Sequence, residues 1–368
     1  MKIRIKEIDE EEDPEFGGRI LKVDKKFLTP YRVPSSVDYG SKQKLPTPIK
    51  IDSEISEVTT LFWAKEYEPF LTKNGPFKSR LAKVESDADI MAYSPLVSFY
   101  PQLPKNLPNN ILPDENAMKL LLELGLSAEN VNIIAIPEFE PIKSYEQDLR
   151  GYCNYIRSRG CEPMPILDME LPPDEFKKKF DTIVSNEETD LVKAIGLVYR
   201  NWSNNIQNYL YVWQNRDKPV LYYCLGVLRD HRKAATMHIL QSFGIDVFST
   251  RFMRGGGGEP KKLRNVDIFD KANIGVLKYN EFNQEHPDGH MNCNCPICQG
   301  GTIEEFKQNY GYNHNGEFDG FQLQYAGKVH EFFSSSNEFD KSRKSIEENS
   351  LLDYFSSKEY LKPHTKRN

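Results

Sequence analysis

Three of the chain's six cysteines, Cys293, Cys295 and Cys298, fall within six residues in the run Cys-Asn-Cys-Pro-Ile-Cys. One turn of that kind gathers three thiolates about a point, and Zn²⁺ takes four soft or borderline ligands in a tetrahedron. The fourth ligand must come from elsewhere. His314 sits in a polar turn (Tyr310 to Gly316), whereas His330 ends the run Phe321 to Val329, which reads as a helix. A helix packed over the cysteines would present its histidine rigidly, so His330 is the expected ligand and His314 the alternative. His286 and His290 precede the triplet and are weaker candidates. Four protein ligands leave no open position, the pattern of a structural zinc that holds a fold and does no chemistry itself.

The elements around this segment alternate. A helix is expected from Glu115 with Asp114 as N-cap and Gly125 as its end, then a buried strand at Asn132 to Ile136. Ser144 and Gln147 fit a capping box for a helix ending at Gly160. Strands at Pro165–Asp168, Ala194–Tyr199, Val220–Leu225 and Ile245–Phe248 alternate with helices near 172–184, 204–214 and 230–243. Such units mean parallel strands with right-handed crossovers, as a doubly wound sheet or as a closed barrel. Short strands are expected at Arg19–Val23 and Ile49–Ile51, a loop over Tyr100–Pro113, and a last strand at Ile274–Leu277. Helices are expected at Ile303–Asn309 and Gly320–Phe333, with an amphipathic one over 345–360. Gly255 to Gly258 have no helix pattern behind them and read as a lid loop or a linker, not a dinucleotide-binding turn.

Bulk properties narrow the class. The chain has 368 residues, 39% of them hydrophobic and 28% charged, so a sizeable core is available. A formal net charge of −6 argues against nonspecific nucleic-acid coating, although Lys261 to Arg264 and the tail from Lys362 are locally basic. No apolar run approaches the ~18–20 residues that span a bilayer, and Met1 to Lys6 lack a signal-peptide core. A cytoplasmic protein with no membrane partner is expected. Cys153, Cys161 and Cys224 then read as core thiols.

With the zinc motif in place, the chain from about Gly18 to Phe333 resembles the tRNA-guanine transglycosylases, including their archaeosine, queuosine and DNA-modifying relatives. The opening Gly-Arg-Ile with Leu-Thr-Pro at 28–30 is similar to that family's first strands. Ile134 to Pro141, Ile166–Asp168, Ala194–Leu197, Lys218 to Val227 and Gly244 to Ser249 resemble its later ones, in order. The resemblance implies a TIM-like (β/α)8 barrel with an N-terminal β extension and a zinc-binding insertion near the C-terminus. It places N-terminal strands over 1–60, the barrel over 61–335 with a zinc subdomain at 286–335, and a helix and basic tail over 336–368.

It also implies a reaction. A carboxylate attacks C1′ of a nucleotide, guanine leaves, and a 7-deazaguanine displaces the enzyme from a covalent glycosyl intermediate. Glu138, Asp168, Gly196 and Gly226 fall where the family reads the base, and Arg251 and Arg254 could hold phosphates. The departures concern the chemistry. Ser249 stands where the family has its nucleophilic Asp, and Tyr93 where it has its acid/base Asp. Asp246 is the substitute nucleophile, three residues earlier and so needing a bulge to face the same side, and Asp89 or Asp87 the substitute acid/base. An active enzyme on tRNA or DNA, a non-catalytic subunit that binds nucleic acid or a catalytic partner, and an unrelated α/β enzyme with a zinc clip all stay open. A homo- or heterodimer is implied by resemblance alone.

Overall fold

A computed structural model describes residues 1–9, 17–24, 27–46, 48–72, 74–104, 112–184, 192–227, 235–250 and 262–365. Three antiparallel strands come first: β1 (Ile3–Ile8), β2 (Arg19–Val23) and β3 (Phe27–Leu28), in that order across the sheet. Eight parallel strands follow: β4 (Tyr31–Arg32), β5 (Ile55–Leu61), β6 (Leu96–Gln102), β7 (Ile133–Ile136), β8 (Glu162–Asp168), β9 (Ala194–Val198), β10 (Leu221–Val227) and β11 (Val247–Thr250). The order across this sheet is β4-β11-β10-β9-β8-β7-β6-β5, with every neighbouring pair parallel. Its two ends meet: the Glu57 N–H donates to the Pro34 carbonyl at 3.0 Å, and Ser35 bridges Glu57 in parallel. The result is a (β/α)8 barrel.

Helices α1 (Ser36–Lys42), α2 (Ala64–Thr72), α3 (Asn74–Ile90), α4 (Glu115–Leu126), α5 (Tyr145–Ser158), α6 (Pro173–Val184), α7 (Ile206–Gln214) and α8 (Thr236–Gln241) fill the crossovers. Asp114 caps α4 by accepting from the Ala117 N–H at 2.8 Å, and Ser144 caps α5 by accepting from the Gln147 N–H. Between β11 and the last barrel helix comes an insertion: the hairpin β12 (Asp267–Asp270) with β13 (Gly275–Lys278), α9 (Tyr279–Glu285), the cysteine turn and α10 (Ile303–Tyr310). Helix α11 (Gly320–Glu347) then packs against β4 and α1 and completes the ring, and α12 (Leu351–Ser356) follows.

Three apolar clusters hold the layers. The lumen is filled by Leu96, Ile133, Met164, Ala194, Leu221 and Val247, and Leu21, Val23 and Phe27 from β2 and β3 join it, so the antiparallel sheet stoppers the amino-terminal end. A larger cluster lies between strands and helices, and a third packs the insertion around the cysteines. The barrel strands read as continuous apolar runs because both faces of a parallel strand are buried.

Several expected boundaries move. The barrel takes its first strand at Tyr31, inside the segment assigned to the N-terminal extension, and β5 is also part of it. Ile49–Ile51 is not a strand, whereas Tyr100–Gln102 belongs to β6 instead of a loop. The strand at Gly275–Lys278 pairs antiparallel with β12 and is not a barrel strand. The helix expected to stop at Phe333 runs to Glu347, so the helix expected over 345–360 is the end of α11 plus the short α12.

Candidate metal centre and barrel mouth

Cys293, Cys295, Cys298 and His330 are buried, and their ligand atoms lie within 4.8 Å of one another. The turn is built by backbone chemistry: the Gln299 N–H donates to the Cys295 carbonyl, Gly300 to Cys293 and Gly301 to Cys298. Gln299 and Gly300 both take positive φ (50° and 79°), which wraps the chain around the sulfurs. Helix α11, capped by Asp319 through the Phe321 and Gln322 N–H groups, carries His330 over this turn. The His330 Nε2–H donates to the Phe269 carbonyl at 2.8 Å. That bond leaves Nδ1 to face Sγ of Cys298 at 2.9 Å and of Cys295 at 3.4 Å. Ser334, one turn further on, sets its hydroxyl 3.1 Å from Cys293 Sγ and 3.2 Å from His330 Nδ1.

The electrostatics fit a cation. Contacts with Cys295 and Cys298 pull the Cys293 thiol far below its ordinary value, and contacts with Cys293 and Cys295 drive the Cys298 thiol far above. Burial works to lower His330, but the sulfurs of Cys293 and Cys295 raise it to about 10. Three thiolates cannot share this space unless a positive charge offsets them, and a soft divalent ion does so. The group could therefore hold a metal such as zinc. His314 is exposed in its turn, His290 is exposed, and His286 faces Asp270 at 3.0 Å; none joins the cluster.

The carboxyl-terminal ends of β6 to β9 border a cavity of about 250 Å³. Tyr100, Pro137, Glu138, Asp168, Glu170 and Arg200 are among its walls. Two of the expected base-reading residues, Glu138 and Asp168, thus share one cavity. Asp168 accepts from the Glu170 N–H at 2.8 Å and from the Arg200 guanidinium. Arg200 Nε also lies 3.2 Å from Glu170. Glu138 pairs with Lys179 of α6 at 3.0 Å, and Lys179 reaches Glu175 at the same distance. Burial works to lower the Lys179 ammonium, but the two glutamates hold it above its ordinary value. A half-buried pocket with paired carboxylate acceptors and a guanidinium can hydrogen-bond a flat, polar ring edge.

The other expected residues lie elsewhere. Asp246 is fully buried just before β11, at the amino-terminal end of the barrel, so it cannot reach the mouth as a nucleophile. Asp89, near the end of α3 and so ahead of β6, is exposed and accepts from Asn130 in the segment that leads into β7; it too is at the amino-terminal end and cannot act as acid/base at the mouth. Asp87 on the same helix binds Lys83 and Ser36. Gly196 is mid-strand, where an added Cβ would meet Leu225 at 2.7 Å and Ile166 at 3.2 Å, so it lets the lumen pack instead of touching a ligand. Gly226 does lie at a strand end, with φ of 66°, and its N–H donates to Ser249 Oγ at 3.3 Å. Tyr93 is 92% exposed. Arg251 and Arg254 lie outside the described residues.

Sequence reasoning missed Arg200, Tyr100 and Glu57. Arg200 follows β9 by two residues, a strand-end placement that could have been noticed. Glu57 is a charge inside the run Ile55 to Leu61.

No protein-family model matches the chain, and none of the curated proteins matches it. Among solved structures, a putative fructose-1,6-biphosphate aldolase from Coccidioides immitis is 9% identical, covering 85% of this chain and 92% of that one, with a TM-score of 0.38. A 3-dehydroquinate dehydratase from Geobacillus kaustophilus is 8% identical over 64% of this chain and 89% of its own, at 0.42. A mutant tryptophan synthase alpha-subunit from Pyrococcus furiosus is 12% identical over 61% and 87%, at 0.37. None of the three is a guanine transglycosylase. Among the described residues no helix is long and apolar enough to cross a membrane.

Proposed function

We propose that this chain is a nucleic-acid base-exchange glycosyltransferase that replaces guanine by a 7-deazaguanine in tRNA or DNA. The observation that carries the reading is the joint placement of two features. A Cys3His cluster is inserted between the last barrel strand and its helix, and a carboxylate-lined cavity opens at the carboxyl ends of the strands. Active sites of (β/α)8 barrels lie at that end.

In this reading Cys293, Cys295, Cys298 and His330 hold a structural zinc, which fixes α11 against the insertion and does no chemistry. Glu138 and Asp168 accept hydrogen bonds from the ring N–H and amino group of the base. Arg200 and Lys179 keep those carboxylates aimed. A nucleotide must be flipped out of its stack to reach such a pocket.

A second reading is favoured by one observation. Asp246 and Asp89 are both at the wrong end of the barrel, as expected of a non-catalytic subunit that binds nucleic acid or a catalytic partner.

The test is exchange of labelled guanine into tRNA and into duplex DNA, with Asp168→Asn and Glu138→Gln beside the wild type. Incorporation into one polymer, reduced at least roughly tenfold in each variant, supports the enzyme and names its substrate. Binding of either polymer without incorporation supports the second reading. Neither binding nor incorporation sinks both.

A further inference from the structure

Asn208 and Tyr209 stand next to each other in the first turn of α7 and are 2% and 0% exposed. Both side chains end on the backbone of residues that wall the mouth cavity. Asn208 Nδ2 donates to the Met169 carbonyl at 3.1 Å and to the Leu171 carbonyl at 2.8 Å, and so brackets Glu170. That turn starts at Asp168, whose carbonyl accepts from the Leu171 N–H at 3.2 Å and whose side chain accepts from the Glu170 N–H. Tyr209 Oη donates to the Arg200 carbonyl at 2.9 Å. Arg200 in turn binds Asp168 and lies 3.2 Å from Glu170. Two neighbouring residues of one helix thus hold the backbone behind the three charged walls at the ends of β8 and β9.

The sequence explains why the donors come from outside the turn. Leu171 is followed by Pro172 and Pro173, which carry no N–H, so the residues three and four after Met169 cannot donate to its carbonyl. One Asn amide nitrogen carries two donors and reaches both carbonyls. Its Oδ1 has no hydrogen-bond partner among the described residues. The reversed amide would set an oxygen against two carbonyl oxygens, so the orientation is fixed by its neighbours. A buried oxygen without a donor costs free energy that an apolar side chain would not incur. The two donors are therefore what this position is used for. Burial pushes the Tyr209 phenol well above its ordinary value, so it stays protonated and donates, and its ring rests on Phe243 at 5.4 Å between centroids.

We propose that Asn208 and Tyr209 are positioning residues of the mouth cavity, fixing the turn over 168–171 and the backbone of Arg200 and thereby the spacing of Asp168, Glu170 and Arg200. They act through those three residues and not on a ligand. Polar groups that read a flat ligand must keep their geometry to a fraction of an ångström, and residues beyond a strand end need outside support to do so. The base-exchange reading supplies only the ligand for the test; the brace itself stands on the three hydrogen bonds.

The experiment compares the wild type with Asn208→Leu, which keeps the side-chain size and removes both donors, and with Tyr209→Phe, which removes one hydroxyl. Gln207→Ala, exposed on the same helix, is the control. Free guanine is the probe, its affinity read by equilibrium dialysis well below the thermal midpoint. Amide hydrogen exchange is read on the same samples. Guanine binding should weaken about tenfold in each of the first two variants and stay as in wild type in the control. Exchange should quicken at least about tenfold over 168–171 in Asn208→Leu and over 198–201 in Tyr209→Phe, with the other strands and the metal content unchanged. Tyr209→Phe decides the matter where Asn208→Leu does not fold. Local exchange equal to wild type overturns the brace. Faster local exchange with guanine affinity intact also overturns it and makes the pair packing residues. Exchange that quickens throughout the barrel overturns it as general destabilisation. A wild type that binds no guanine sinks the base-exchange reading alone, and the brace then stands or falls on whether exchange at the two segments quickens.

Discussion

Arg19 and Asp246 form a bidentate ion pair with neither side chain exposed: Nε meets Oδ1 at 3.0 Å and Nη2 meets Oδ2 at 2.5 Å. The rest of the guanidinium donates to the carbonyls of Arg216, Lys218 and Val220, so its five N–H groups are satisfied. Asp246 also accepts from the Tyr222 N–H at 2.7 Å and the Thr29 hydroxyl at 3.3 Å. Burial works against the Arg19 charge, but Asp246 more than offsets it and holds the guanidinium above its ordinary value. Burial likewise pushes the Asp246 carboxyl up, against Arg19, Tyr222 and Thr29. The pair rivets the N-terminal sheet to the closed end of the barrel.

Asp246→Asn should therefore destabilise the protein by about 3–5 kcal/mol, because it leaves Arg19 buried and unpaired. Denaturant unfolding measures this. Exchange activity per folded molecule should be unchanged; a specific loss of activity at intact stability would return Asp246 to the chemistry.

Removal of metal should loosen the insertion. His330→Ala and Cys298→Ser should each lose the bound ion and lower the thermal midpoint, since metal binding energy is folding energy in such a site. Ser334→Ala is subtler. Its hydroxyl touches Cys293 Sγ and His330 Nδ1, so roughly 10–100-fold weaker metal binding is expected in chelator competition. Unchanged affinity would make Ser334 a packing residue only.

Acid should act through His238. It is buried between Ser335 and the Phe339 ring, whose centroid lies 4.3 Å away, and burial lowers its pKa from 6.5 to about 3. The unfolded chain takes up a proton below 6.5 that the folded chain refuses until about 3. Stability from this group is thus full above pH 6.5 and is lost as pH falls toward 3. The slope approaches 1.4 kcal/mol per pH unit at its steepest, an upper bound. His238→Gln should flatten that part of a stability–pH curve. An unaltered curve would show that His238 protonates freely in the native state.

Gly196 should not tolerate a methyl group. Gly196→Ala brings a Cβ against Leu225 and Ile166 in the lumen, and overpacking of this kind costs roughly 1–3 kcal/mol. The denaturation midpoint reads it. A midpoint equal to wild type would mean that the lumen has slack at this layer.

The parts of the protein legible in the sequence are those set by residues close together in the chain. Cys293, Cys295 and Cys298 are three ligands in one turn, and the alternation of apolar strands with capped helices from Glu115 onward fixes the α/β pattern. His330 needed one further step, the recognition that its segment is a helix able to lie over that turn. The first crossovers were harder to read: Ile55–Leu61 and Leu96–Gln102 are strands, the latter carrying Pro101 inside a stretch that reads as a loop. Which acid does what was not legible at all. In a parallel barrel every strand has an inner and an outer end, and one or two residues decide between them. Asp246 precedes its strand and is locked at the closed end, whereas Asp168 terminates its strand and reaches the mouth. Only closure of the sheet, which sets Glu57 beside Ser35 and opposite Tyr223 and Ser249, brings a carboxyl from the second barrel strand against residues nearly 200 positions away.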